Sequence, residues 1–98
     1  MKLWIDDIRP APTGYVWLKS SQQAVDYINF LAERCINIKV IDIDHDAEKY
    51  ASDGGDYINI LNWLEEQHLS YPIHIHSMNP VGIQNMRTVI KHNNWKEV

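Results

Sequence analysis

The sequence predicts an α/β fold with a mainly parallel sheet, and three observations lead there. Short apolar runs alternate with segments of helical periodicity, the pattern of repeated strand–helix units. Two of the runs end in acidic residues, Asp6-Asp7 and Asp44-His45-Asp46. The chain has 98 residues, 45% of them hydrophobic, with four Trp, five Tyr and one Phe. That is enough for one core and too little for two, so residues 1–98 are read as a single domain.

The elements follow in order. Residues 3–5 form a strand closed by Asp6-Asp7, and Pro10, Pro12 and Gly14 exclude a helix from the segment behind it. Residues 15–19 alternate and read as a second strand. Ser20 and Gln23 have the spacing of a capping box. The helix behind them carries Ala24, Val25, Ile28, Leu31 and Ala32 and runs to about Arg34. Cys35 reads as a small buried hydrophobe at its end. Residues 38–43 are a third strand. A flexible-looking loop through Gly54-Gly55 then leads to a helix bearing Ile58, Leu61 and Leu64. Residues 73–76 are a fourth strand, followed by an Asn79 N-cap, Pro80 at the first helical position, and a helix through Ile83, Met86 and Ile90 to about His92. The 95–98 tail is left open between an edge strand and coil.

Alternation within the strands assigns faces. Leu3, Ile5, Val16, Leu18, Ile38, Val40, Ile73 and Ile75 would share an aliphatic face. Lys2, Trp4, Tyr15, Trp17, Lys19, Lys39, Ile41, His74 and His76 would share the other. Right-handed crossovers allow all the helices to cover the aliphatic face, giving two layers and a partly open second face. Either a second copy of the chain, making a homo-oligomer, or the tail and the proline loop would cover that face. A net charge of −4 without a basic run argues against a broad nucleic-acid or membrane-binding surface. No apolar stretch is long enough to span a bilayer, and a single cysteine suits a reducing compartment, so the expected location is cytoplasmic.

In open parallel sheets, ligands bind beyond the carboxyl ends of the strands. If the first and third strands are neighbours, Asp6 and Asp7 converge there with Asp44 and Asp46. Carboxylates held close repel one another, so a cation or a shared proton must relieve them. An all-oxygen set suits a hard divalent metal, Mg²⁺, Mn²⁺ or Ca²⁺, better than zinc, and Mg²⁺ or Mn²⁺ is the expected cofactor. His45 is a nitrogen ligand or a general acid or base. After the fourth strand come His76, Ser77, Asn79 and Gly82. The helix starting at Pro80 points free amides toward the same edge, which suits a phosphate. Ser77 can donate to a phosphate oxygen, Asn79 stands at the cap, and Gly82 keeps the first turn uncluttered. Arg9 either clamps a phosphate or neutralises Asp6 or Asp7. His76, nearer the edge than His74, is the better site candidate, and Asp42, facing the same side as Val40, is read as a group that supports the site from behind.

These residues carry a family resemblance. Asp6-Asp7-Ile8-Arg9-Pro10-Ala11-Pro12, Asp44-His45-Asp46, Gly55-Asp56-Tyr57 leading to Trp63-Leu64-Glu65-Glu66, and His76-Ser77-x-Asn79-Pro80-x-Gly82 occur in order over nearly the whole chain. The sequence resembles the cyclic-phosphate processing receiver-like domain family, shortened relatives of response-regulator receiver domains. The resemblance implies strand order 2-1-3-4, with the first receiver helix reduced to the proline loop. It implies that Asp6 and Asp7 are the metal-binding pair, that Asp44 stands at the phosphate-accepting position, and that Ser77 is the hydroxyl residue. A counterpart of the receiver lysine after a fifth strand is missing, while His45 and His76 are additions. Both departures favour turnover of a phosphoester over a stable aspartyl-phosphate switch. The expected function is metal-dependent opening of a cyclic phosphate on a nucleotide or RNA end, with Asp44, His45 and His76 catalytic and Asp46 either orienting His45 or completing the metal shell. The alternative is a receiver-derived module that binds a cyclic nucleotide or a protein partner without catalysis.

Overall fold

The computed structural model describes residues 1–98. It contains β1 (Lys2–Ile5), β2 (Tyr15–Leu18), α1 (Ser21–Glu33), β3 (Val40–Ile43), α2 (Ile58–Glu66), β4 (Ile73–Ile75) and α3 (Pro80–His92), with a 3₁₀ turn at Glu48–Tyr50. Every strand pair is parallel, and the order is β2-β1-β3-β4, the receiver-like order the resemblance implies. No helix is long and apolar enough to cross a membrane.

One continuous core joins the sheet to all three helices. Leu3, Ile5, Ile41, Ile43 and Ile73 meet Ala24, Ile28 and Leu31 of α1, Ile60, Leu61 and Leu64 of α2, and Met86 and Ile90 of α3. The fold is therefore two-layered, with the helices on the aliphatic face.

The third strand corrects the expected faces. Leu3 pairs with Ile41 and Ile5 with Ile43, so Ile41 and Ile43 enter the core while Val40 and Asp42 stand on the opposite face. The reason is a break in the alternation. Ile38 is buried and so is Ile41, three residues on, which no straight strand permits. Regular pairing starts only at Val40.

The return from β1 to β2 is short for a parallel connection and carries no helix. Two indoles fasten it to the open face: Trp4 Nε1 donates to the Arg9 carbonyl at 2.8 Å, and Trp17 Nε1 to that of Asp6 at 2.8 Å. Lys2 lies over the Tyr15 ring at 4.9 Å and Lys19 over the Trp17 ring at 4.4 Å, cation–π contacts that further line this face. At the far edge the tail pairs with β4 through a single parallel bridge between Ile73 and Glu97, and His74 Nδ1 contacts the Val98 carbonyl at 2.7 Å.

Local signals worked with one displacement. Ser20 Oγ accepts from Gln23 N, but Gln23 Oε1 returns to Lys19 N rather than to Ser20 N. The segment before α2 is fastened to α1. Ser20 Oγ donates to Asp53 Oδ2 at 2.6 Å, Gln22 N donates to the Asp53 carbonyl, and Gly54, at φ +108°, leaves no room for a Cβ against the Gln22 nitrogen. Cys35 is exposed, at φ +56° just past α1, because the chain turns left-handed there and carries its side chain out of the core.

The register makes a direct prediction. Ile41→Ala removes a fully buried side chain and should cost about 2–5 kcal/mol, whereas Val40→Ala on the open face should cost about 1 kcal/mol. Urea unfolding of the two variants checks the order; the reverse ranking would contradict the register.

Candidate metal and phosphate site

The pairing of β1 with β3 carries both acidic groups to one sheet edge. Asp44 N donates to the Ile5 carbonyl and Asp6 N to that of Leu18, extending the ladder to the residues that hold the site. Asp6, Asp7 and Asp44 each present a carboxylate oxygen, and these lie within 4.8 Å of one another. They share an open cleft of about 330 Å³ with Asp46 and Glu48, and Ile8, Arg9, Met78 and Asn79 complete its lining.

The three aspartates are held differently. Asp6 Oδ1 accepts from the Ile8 and Arg9 backbone amides, both at 2.9 Å, and Oδ2 faces His76 Nε2 at 2.9 Å. Burial alone would push the Asp6 carboxyl up, but the Arg9 and Ile8 amides and the His76 ring outweigh it and leave the group below the ordinary carboxylate range. Asp7 is raised instead: burial comes first, its own amide opposes it, and the neighbouring Asp6 and Glu48 charges add to the rise. Its Oδ2 is buried without any hydrogen-bond partner. Asp44 Oδ1 accepts from His45 N at 2.7 Å. An orphaned buried oxygen beside two more carboxylates is the arrangement a hard cation relieves, so the residues present fit a divalent metal.

His76 is enclosed. Nδ1 contacts Asp42 Oδ1 at 2.6 Å while Nε2 contacts Asp6, and the ring stacks on Trp4 at 3.9 Å with planes 4° apart. Both flanking carboxylates can be satisfied by the ring alone only when both its nitrogens carry protons. Asp42 owes this place to the β3 register, which sets it across from Trp4 and His74. The sequence set Asp42 on the side of Val40, the expected aliphatic face, so neither its contact with His76 nor the Trp4 stack was foreseen.

His45, Asp46 and Asn79 form a second unit. His45 Nδ1 contacts Asp46 Oδ1 at 2.7 Å, and its Nε2 has no partner within the protein. Asp46 therefore stands apart from the Asp6–Asp7–Asp44 trio expected to include it, drawn away by this contact and by Asn79 Nδ2 at 3.3 Å. A second grouping, His45–Asp46–Asp56, results. Asp56 also accepts from Ala47 N, so it shapes the loop as well. Gly82 is buried directly beneath His45: an added Cβ would overlap ring atoms Cγ, Cδ2 and Nδ1. Its amide donates to Asn79 Oδ1 at 3.0 Å, so that N–H is occupied by the cap and not free for a phosphate. Ser77 Oγ accepts from Asn79 N at 3.1 Å and keeps its own proton to donate. Arg9 is exposed, forms no ion pair with Asp6 or Asp7, and reaches the His76 carbonyl at 3.4 Å. His45, His76, Ser77 and Gly82 lie outside the cleft lining, while Ile8 and Met78, not singled out by the sequence, and Glu48, read there as part of a solvated loop, belong to it.

The opposite shifts of Asp6 and Asp7 have opposite consequences. Folded Asp7 binds its proton more tightly than the unfolded chain, so its contribution to stability declines as pH rises out of the ordinary carboxylate range. Asp6 contributes stability above that range and loses it as pH falls. Metal-free Asp7→Asn should therefore melt higher than the native chain at neutral pH. Mn²⁺ at a hundredfold excess over Kd should stabilise the native protein by about 2.7 kcal/mol and the variant far less. Thermal melts with and without Mn²⁺ check both; a lower metal-free melting point for Asp7→Asn would contradict the assignment.

No curated protein and no solved structure matches the chain significantly. The family pattern of the cyclic-phosphate processing receiver domain matches residues 1–92. The acidic trio, the parallel 2-1-3-4 sheet and this match agree, and the chain belongs to the cyclic-phosphate processing receiver domain family.

Proposed function

We propose that this domain is a metal-dependent phosphoesterase that opens a cyclic phosphate on a nucleotide or an RNA end. The observation that carries the reading is the unpartnered Asp7 Oδ2, buried beside Asp6 and Asp44 in a chain of this family. Asp6, Asp7 and Asp44 would hold the ion, with Mg²⁺ or Mn²⁺ favoured by the oxygen-only set. When bound, such a cation polarises a phosphoryl oxygen and offsets charge that builds up there.

The remaining roles belong to the chain's own groups. Arg9, exposed on the cleft wall without a carboxylate partner, supplies a bidentate donor for phosphate oxygens. Ser77, just outside the cleft lining, receives the Asn79 amide, and Asn79 with Gly82 keeps the α3 terminus and His45 in register. Asp46 lines the cleft and is hydrogen-bonded to His45 Nδ1. We assign proton transfer to this pair: it takes a proton from the attacking water and returns it to the ring oxygen that leaves. His76, with both nitrogens committed to Asp42 and Asp6, acts as a positioning residue for Asp6.

Incubation with 2′,3′-cyclic AMP and Mn²⁺ or Mg²⁺ tests the proposal. It predicts a ring-opened monophosphate, blocked by chelation. His45→Gln should lower kcat by about 10²-fold or more while the metal-dependent rise in melting temperature persists. Recovery of intact ligand from a tight complex would refute catalysis and leave a binding module.

A further inference from the structure

The cleft has an apolar rim that neither a metal nor a phosphate requires. Ile8 is 70% exposed, Met78 81% and Val81 70%, the three most exposed large apolar residues of the chain. Ile8 and Met78 both line the acidic cleft, and Val81 lies two residues beyond Asn79, which lines it too. The first two approach from different connections, β1–β2 and β4–α3, so the pairing is made by the fold and not by sequence neighbourhood. Scattered exposed aliphatics need no explanation, but concentration of the most exposed ones around a single charged cleft does.

From this arrangement the geometry points to Ile8 and Met78 as a clamp for the planar base of a nucleoside cyclic phosphate. The inference rests on the esterase reading above and adds to it the side chains that would hold the base. A ligand whose phosphate meets Arg9 and the acidic trio must extend outward past this rim. A flexible thioether makes favourable contact with an aromatic ring, and a branched aliphatic offers a complementary surface. The volume of about 330 Å³ lies at the small end of ligand sites, suited to one nucleotide unit and not to a long acyl chain. Two apolar residues among the nine that line the cleft also suit one ring better than a lipid.

The test measures binding of 2′,3′-cyclic AMP, glycerol 1,2-cyclic phosphate and inorganic phosphate to the Mn²⁺-loaded protein. Chromatography afterwards scores ring opening separately. Because both side chains are largely exposed, Ile8→Ser and Met78→Ser leave the core intact, and thermal melts verify this. The native chain should bind the base-bearing ester at least about tenfold more tightly than the glycerol ester, and the double variant should lose that preference with phosphate affinity unchanged. Equal affinity of the native chain for the two esters would overturn the clamp, as would a double variant that weakens all three ligands alike. A changed oligomeric state in the variants with unaltered nucleotide affinity would overturn it in favour of a protein contact. Preference for the base without ring opening would sink the esterase reading alone, whereas failure to bind either ester would sink both.

Discussion

Parallel, in-register pairing of β1 with β3 is the constraint on which the rest of the structure depends. Lys2 lies beside Val40 and Ile5 beside Ile43, so the two strands end together and release Asp6-Asp7 and Asp44 at the same edge. Antiparallel pairing would send them to opposite ends of the sheet. A slip of one residue would turn Ile41 and Ile43 out of the core and Asp42 into it. The register that buries the aliphatic face is thus the same register that gathers the carboxylates. The stabilising free energy comes from the core, where Leu3, Ile5, Ile41 and Ile43 are wholly buried. Part of it offsets the cost of holding three acidic groups together.

That cost is distributed unevenly among the three. Asp6 is stabilised as an anion by two amides and an imidazole, whereas Asp7 keeps a buried oxygen with nothing to accept from. The support extends outward through His76 to Asp42 and across the stack to Trp4, whose indole in turn holds the proline loop. Each link in this series lies on the face that carries no helix. The short connection between β1 and β2 leaves room for these side chains to work as a scaffold. Tyr57, buried in the core and donating to the Lys19 carbonyl, sits close enough to the acidic edge to register the same field: burial first, then Asp7, Asp6 and Asp44, push its hydroxyl far up.

Much of this was legible in the residues. The strand–helix alternation, the acidic strand ends and the Asn79-Pro80 helix start all lie where local propensity and periodicity place them. What escaped was set by tertiary contact. The alternation across residues 38–43 read as one strand, although regular pairing begins only at Val40 and the two faces of β3 are exchanged relative to that reading. Gly82 looked like an open first turn, yet its small size serves the His45 ring packed above it. The loop through Gly54-Gly55 looked flexible, but Asp53 at its start is held by the N-terminus of α1. Asp46 could complete the metal set or orient His45, and only the positions of Asn79 and His45 show which contacts its carboxylate makes.

The most direct test of the central claim is the anomalous scattering of a crystal grown with Mn²⁺. The account predicts one strong peak within about 2.0–2.6 Å of oxygens from Asp6, Asp7 and Asp44. A peak instead at His45, Asp46 and Asp56, or no ordered ion at saturating Mn²⁺, would contradict it.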